Sequence, residues 1–299
     1  MIRCKWRLGA LSATLAGAGL FVVAPVQAEA IFGLTTTNAL VTFDSATPGF
    51  SGPAMNITGL ANLNESILGI DLRPATGVLY GLSSSGNLYT LNASTGAATF
   101  ASTLKTTLGG TSFGVDFNPT VDRLRITSSS GQNLRVNVNT GDVTVDAALN
   151  GAATELAASA YTNNDNDPAT GTMLFGISST TDRLYIQSPP NNGTLVDVGA
   201  LGVNTSSAAG LDISGVTGIA YASLTDVNSL KSSLYTINLS NGTASLIGAF
   251  GIGGNTAIAP SLLDISVAAV SAVPEPSTYA LLFAGLLMVG SIVRRRTTR

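Results

Sequence analysis

Aspartates recur at one position of a short repeated motif, where they could bind a hard cation or transfer protons. The motif is a strand-like stretch such as GIDL, and its aspartates are Asp71, Asp116, Asp212 and Asp264. Carboxylates that converge can bind Ca²⁺ or act as an acid and a base. We favour a structural role, in which each carboxylate accepts hydrogen bonds between repeats. One copy of the motif has Ala160-Tyr161 instead of the aspartate, which weakens a symmetric metal site.

A second acidic candidate is the segment YTNNDNDPATG. Asn163, Asp165 and Asp167 alternate as in the first half of a calcium-binding EF-hand loop. Such a loop requires Gly at its sixth position and a bidentate Glu at its twelfth. This chain has Pro168 and Leu174 at those positions. An Asn- and Asp-rich surface turn is therefore the interpretation we favour, and Ca²⁺ is the only cofactor left open.

Three arginines, Arg123, Arg125 and Arg135, form a candidate ligand patch. Arg123 and Arg125 alternate along a predicted strand and so point to the same face, and Arg135 lies on the next strand. Such a patch could bind an acidic polysaccharide or a carboxylate. Pairing with neighbouring acidic residues such as Asp122 and Asp142 is the alternative that we favour.

Residues 31–271 lack the side chains of several common active sites. They contain no Cys, His or Trp, because Cys4 and Trp6 precede them and the chain has no His. This composition excludes disulfides, zinc held by Cys or His, cysteine nucleophiles and His-based triads. Seven basic and fifteen acidic residues give this region a formal charge of 7 − 15 = −8. We therefore expect no nucleic-acid partner.

The N-terminal residues have the composition of a targeting segment. A basic start precedes an apolar stretch from Leu8 to Val23, and Ala28 and Ala30 each complete a signal-peptidase site. These features predict a secretory signal peptide over residues 1–30, cut after Ala28 or Ala30. A short N-terminal membrane anchor is the alternative.

The C-terminal residues, 272–299, combine three features in a fixed order. They are the triplet Pro274, Glu275 and Pro276, an uncharged stretch from Ser277 to Val293, and the basic residues Arg294, Arg295 and Arg296. As a helix the stretch would be about 25 Å long, enough to cross a hydrocarbon core, and the arginines favour the cytoplasmic side.

This order resembles the PEP-CTERM sorting signal of Gram-negative bacteria. The resemblance implies recognition by an exosortase, a membrane transpeptidase, with cleavage near the triplet. It also implies delivery through an inner-membrane intermediate to the cell surface or the exopolysaccharide matrix. An ordinary C-terminal membrane anchor is the alternative, and in either case residues 31–271 are exported.

Short apolar stretches alternate with turn residues between the two targeting segments, which favours an all-β fold. Five stretches begin with a leucine and end in a polar turn, and the leucines are Leu40, Leu88, Leu134, Leu184 and Leu234. The leucines are 46 to 50 residues apart, and each unit divides into four short strands, which is typical of propeller blades. The unit that begins at AIFGLT lacks its first strand, which SLLDISVA supplies near the other end. We predict a five-bladed β-propeller closed by its N- and C-terminal strands, with an open β-solenoid or two β-sandwiches as alternatives.

The same region resembles a bacterial family known only as a domain of unknown function, which often accompanies PEP-CTERM tails. The resemblance rests on GIDLRPATGVLYGLSSSGNLYTLNASTGAAT, FGVDFNPTVDRLRITSSSGQNLRVNVNTG and IQSPPNNGTLVDVGALGV. It implies a single domain and no particular activity.

We therefore predict an exported binding or structural module without enzymatic activity. Its expected partners are signal peptidase and exosortase during export, and then exopolysaccharide or other surface proteins. The alternative is a carboxylate- and metal-dependent hydrolase or lyase acting on an extracellular polymer or a lactone. Several carboxylates converging in one pocket with perturbed pKa values would favour this alternative.

Overall fold

The computed structural model describes residues 28–165, 167–257 and 259–268. These residues form β-strands and one 3-10 turn at Pro190–Asn192. Within these ranges no helix has the length and apolar character needed to span a membrane. The apolar stretch of the predicted signal peptide and the predicted transmembrane segment both lie outside the described residues.

The strands form five sheets, each of which is one blade. From the innermost strand outward, blade one contains β21 (Leu262–Val267), β1 (Ala30–Thr35), β2 (Ala39–Asp44) and β3 (Met55–Asn56). Blade two contains β4 (Ile67–Arg73), β5 (Val78–Ser83), β6 (Asn87–Leu91) and β7 (Ala98–Thr103). Blade three contains β8 (Phe113–Asn118), β9 (Arg123–Ser128), β10 (Asn133–Asn137) and β11 (Asp142–Val145).

Blade four has an additional outer strand. It contains β13 (Ala158–Tyr161), β14 (Leu174–Ser178), β15 (Arg183–Gln187), β16 (Thr194–Ala200) and β12 (Asn150–Gly151). Blade five contains β17 (Thr205–Ile213), β18 (Ala220–Asp226), β19 (Ser232–Ile237) and β20 (Ala244–Ala249). Antiparallel pairing joins the strands of each blade, except that β12 runs parallel to β16.

The five innermost strands form a closed ring in which each contacts the next. The order is β21, β4, β8, β13, β17 and back to β21. Blade one is completed by both ends of the domain, because Ile31 of β1 pairs with Val267 of β21, and Leu34 pairs with Asp264. The prediction of a five-bladed propeller closed by its terminal strands is confirmed. Closure buries the inner strand of each blade against its neighbours in the ring, whereas an open stack would expose strand edges to pairing with another chain.

Glycines two residues before the motif aspartates allow neighbouring blades to approach closely. A Cβ added to Gly114 would lie 2.5 Å from the backbone nitrogen of Ser159 in blade four. A Cβ added to Gly210 would lie 2.6 Å from the Cα of Asp264 in blade one. The apolar core fills the spaces between blades, as where Leu88 of blade two and Val115 of blade three belong to one buried cluster. The repeated motif therefore has Gly where blades touch and, two residues later, the aspartate.

Candidate functional site

The motif aspartates connect the inner strands of successive blades. Each accepts a hydrogen bond from a backbone N–H of the next blade around the ring. The donors are Ile70 to Asp264 at 2.9 Å, Phe117 to Asp71 at 2.7 Å, Tyr161 to Asp116 at 3.0 Å and Val267 to Asp212 at 2.5 Å. The junction between blades four and five lacks this carboxylate, because β13 has Ala160 at the corresponding position. These contacts give the aspartates a structural role in the ring.

Three of these aspartates also converge. One carboxylate oxygen from each of Asp71, Asp116 and Asp212 lies within 4.8 Å of the others, and all three residues are buried. Burial, followed by repulsion from the neighbouring carboxylates, raises the pKa of Asp71 and Asp116 well above the ordinary value. Burial raises the pKa of Asp212 to about 6, against the hydrogen bonds from Val267 and Ile213. The cluster therefore retains protons at a pH where an exposed carboxyl is ionised.

The converging carboxylates are few for a calcium ion. Ca²⁺ takes six to eight oxygen ligands, whereas three carboxylates converge here. Asp71 accepts backbone N–H groups from Leu72 and Phe117 on its two oxygens, and Asp212 does the same with Ile213 and Val267. Asp116 accepts one such bond on Oδ1, and the described residues give no hydrogen bond to its Oδ2. The carboxylate of Asp116 is thus the one with most capacity for another partner.

A cavity of about 530 Å³ lies where inner strands β4, β17 and β21 end. Its polar lining residues are Asp71, Arg73, Asn164, Asp165 and Asp212. Its apolar lining residues include Phe32, Leu72, Pro74, Val216 and Val267. Two carboxylates of the buried cluster therefore face a space large enough for a small ligand.

The Asn- and Asp-rich loop borders this cavity through two of its residues. The Oδ1 atom of Asn164 is buried, and within the described ranges it has no hydrogen-bond partner. Asp165 is exposed and accepts the backbone N–H of Asp167 at 2.9 Å and the Thr170 hydroxyl at 3.2 Å. Asp167 is also exposed and accepts the backbone N–H of Ala169 at 2.9 Å. Both carboxylates thus support the turn, and only Asp165 lines the cavity.

The three candidate arginines occupy different environments. Arg125 is buried, and its guanidinium donates to Asp146 at 2.7 Å and to Tyr161 Oη at 3.1 Å. Arg135 binds both oxygens of Asp146, at 2.7 and 2.8 Å. Arg123 is half-buried and donates to backbone carbonyls beside it. Arg125 and Arg135 thus neutralise one carboxylate instead of extending an open cationic surface.

The acidic neighbours suggested as partners for these arginines bind other cations. Asp122 accepts two hydrogen bonds from Arg73, which lower the pKa of Asp122 below its ordinary value. Asp142 accepts a hydrogen bond from Lys105 at 2.6 Å. Asp122 and Asp142 are close to the arginines along the chain. Strand pairing nevertheless places Asp146, and not these two residues, beside the arginines.

Two polar residues lining the cavity, Arg73 and Asn164, fall outside the candidates expected from the sequence. The position of Arg73 could have been inferred, because residues two apart on a strand share a face and Arg73 follows Asp71 by two. Asn164 had no comparable signal, since its position depends on how the loop after β13 folds over the ring.

Fold and terminal motif together define an exported β-propeller that an exosortase sorts. Residues 272–296 match the PEP-CTERM protein-sorting motif, which implies export, a membrane-associated intermediate and delivery to the surface. The chain belongs to the family described as domain of unknown function (DUF4394), which matches residues 39–259. No curated protein matches the chain.

Solved structures are similar to this chain at low sequence identity. A structural genomics protein of unknown function from Bacteroides thetaiotaomicron is 13% identical, with a TM-score of 0.50, over 83% of this chain and 68% of that one. A chain from a nidogen–laminin complex is also 13% identical, with a TM-score of 0.48, over 81% of this chain and 98% of that one. At this identity the first of these similarities concerns the fold alone.

Proposed function

We propose that the protein is a non-enzymatic binding module of the cell surface or the extracellular matrix. In this proposal the cavity at the end of the ring binds a neutral sugar unit of an exopolysaccharide. The observation that carries the proposal is the cavity itself, with a volume of about 530 Å³. That volume is typical of small-ligand pockets, which combine apolar walls with a few polar groups.

The polar groups of the cavity suit a ligand rich in hydroxyls. Asn164 Oδ1 is a buried acceptor without a partner among the described residues, and a hydroxyl could satisfy it. Asp71 and Asp212 add carboxyl groups to the polar lining, and Arg73 provides donors. The apolar face of a sugar ring could pack against Phe32 or Val216. The acidic character of residues 31–271, at 7 − 15 = −8, disfavours anionic polymers.

A carboxylate-dependent hydrolase or lyase is the second candidate function. It is supported by the convergence of Asp71, Asp116 and Asp212 and by their raised pKa values. We rank it below a binding module because backbone N–H groups already engage both oxygens of Asp71 and of Asp212. A carboxylate that accepts these hydrogen bonds stabilises the ring whether or not a substrate binds.

Export and sorting complete the proposal. Signal peptidase would remove the N-terminal segment, and an exosortase would cut near Pro274, Glu275 and Pro276 after the body has crossed the inner membrane. The match over residues 272–296 supports the second step.

Filling the cavity is expected to weaken sugar binding. Val216 is 62% exposed and lines the cavity, so Val216→Trp would place a large side chain there. The matched control is Val145→Trp, because Val145 is 65% exposed on the outer strand of blade three. We expect at least one neutral oligosaccharide to bind the unaltered protein in titration calorimetry, with about tenfold weaker binding for Val216→Trp, or ~1.4 kcal/mol.

Two results would contradict the proposal. One is binding restricted to uronic-acid oligosaccharides, and the other is equal weakening by the Val216 and Val145 variants. Release of shortened products from the same oligosaccharides would favour the second candidate function instead.

A further inference from the structure

We propose that signal peptidase cuts between Ala28 and Glu29. Glu29 then becomes the first residue of the exported protein, and its hydrogen bonds stabilise the closed ring. This inference rests on the proposed secretory signal peptide. The sequence alone leaves two cleavage sites open, after Ala28 and after Ala30. The contacts of Glu29 distinguish between them.

The Glu29 side chain is part of the folded domain. Glu29 is 0% exposed, and its carboxylate accepts hydrogen bonds from the hydroxyls of Ser214 and Thr217, the latter at 3.0 Å. Both hydroxyls lie in the turn between β17 and β18, in blade five. Glu29 directly precedes β1 and so belongs to blade one. Its carboxylate therefore links blade one, the sheet that closes the ring, to blade five through hydrogen bonds.

The backbone of Glu29 extends the same sheet. Its N–H donates to Ser45 Oγ at 2.9 Å, and its carbonyl accepts the N–H of Ser45 at 2.8 Å. The next residue, Ala30, pairs with Asp44, and its carbonyl accepts the N–H of Ala268 at 2.8 Å. Cleavage after Ala30 would remove these contacts and leave the buried hydroxyl of Ser214 without its carboxylate partner.

Cleavage after Ala28 preserves every one of these contacts. Water adds across the Ala28–Glu29 peptide bond, which gives a carboxylate on Ala28 and an α-amino group on Glu29. That amino group keeps the hydrogens with which to donate to Ser45 Oγ. Val26 and Ala28 provide the small residues at the third and first positions before the cut.

The cleavage site can be read directly from the protein exported by cells expressing the full chain. N-terminal sequencing and intact mass are expected to give Glu29 as the first residue. Ala30→Leu blocks only cleavage after Ala30 and should leave this terminus unchanged. Val26→Glu places a charge before the cut after Ala28 and should abolish the terminus at Glu29. A terminus at Ile31, or loss of processing in Ala30→Leu, would overturn the inference while leaving export intact. An unprocessed N-terminus in the unaltered chain would overturn the signal-peptide proposal as well.

The stabilising role of Glu29 has its own test on the same exported protein. Glu29→Ala should lower Tm by several degrees, because Ser214 and Thr217 lose their acceptor. Glu29→Gln should retain a Tm close to that of the unaltered protein, since an amide oxygen can accept from Ser214 and a hydroxyl at Thr217 can turn to accept. Equal Tm values for the alanine variant and the unaltered protein would overturn this role.

Discussion

Replacing Arg125 with Met is expected to lower the free energy of unfolding by about 3 kcal/mol. Arg125 and Asp146 form an ion pair whose side chains are 1% and 6% exposed. Arg125 also donates to Asn133 at 2.7 Å, an acceptor that keeps a donor in Gln187. The acceptors that lose their donor among the described residues are Tyr161 Oη, in a buried residue, and Asn191 Oδ1. The effect lies near the lower end for a broken buried pair because Arg135 still neutralises Asp146. Denaturant titration of both proteins measures the difference.

The matched control is the ion pair between Arg183 and Asp197. It has two hydrogen bonds where Arg125 makes one to Asp146, but its side chains are 37% and 41% exposed. Arg183→Met should leave the denaturation midpoint nearly unchanged, since water and salt screen such a pair. Similar losses in the two variants would mean that Arg125 is not the buried centre of a network between blades three and four.

Stability is expected to decrease between pH 5 and pH 8. The folded-state pKa of Asp212 is about 6, and those of Asp71, Asp116 and Asp264 are raised well above the ordinary value by burial. A carboxyl with a raised folded pKa binds more protons in the native state than in the unfolded state. Its contribution is therefore fully present below the unfolded pKa of about 3.9 and is lost as the pH rises through the folded pKa.

Carboxyls with lowered pKa values act in the opposite direction at lower pH. Arg73 lowers the pKa of Asp122, and hydrogen bonds from Arg135 and Arg125 outweigh burial to lower the pKa of Asp146. Their contribution is lost as the pH falls below about 4. We therefore expect the highest Tm between about pH 4 and pH 5. A Tm that rises steadily from pH 5 to pH 8 would contradict the raised pKa values.

Two substitutions separate the charge of the cluster from its hydrogen bonds. Asp116→Asn should raise Tm at pH 8 and flatten the pH dependence, because the amide oxygen can still accept from Tyr161 while repulsion is removed. Asp264→Asn should lower Tm, because both oxygens of Asp264 accept backbone N–H groups, from Ile70 and Ile265. The amide nitrogen would have to face one of these donors. Calorimetry from pH 5 to pH 8 gives both results.

Much of the fold could be predicted from the sequence because the same pattern of strands and turns recurs in several repeats. Gly and Asp two residues apart mark inner strands, and each recurring leucine stands on the third strand of its blade, counted outward from the ring. Closure could be predicted because the first unit lacks an inner strand and Asp264 supplies the missing motif. Each of these inferences depends on local patterns that repeat along the chain.

The site was less predictable because it depends on contacts between distant segments. Asn164 reaches the cavity through a loop that has no counterpart in the other blades. Glu29 finds its partners at Ser214 and Thr217, more than 180 residues away. Asp146, rather than Asp122 or Asp142, pairs with Arg125 because of the β10–β11 register, which sets Asn133 and Asp146 side by side. None of these pairings repeats, so none leaves a pattern in the sequence.

Thermal unfolding with and without Ca²⁺ tests most directly whether the aspartates hold the blades together or form a metal centre. A ligand that binds only the folded state at a hundredfold excess over Kd adds about 2.7 kcal/mol, which would raise the Tm of a domain this size by several degrees. After treatment with a chelator, we expect millimolar Ca²⁺ to leave Tm unchanged. A Tm that rises with Ca²⁺, and no longer rises in Asp116→Asn, would contradict the structural role and favour a metal-dependent enzyme. A rise abolished instead by Asp165→Asn would place the ion in the loop after β13.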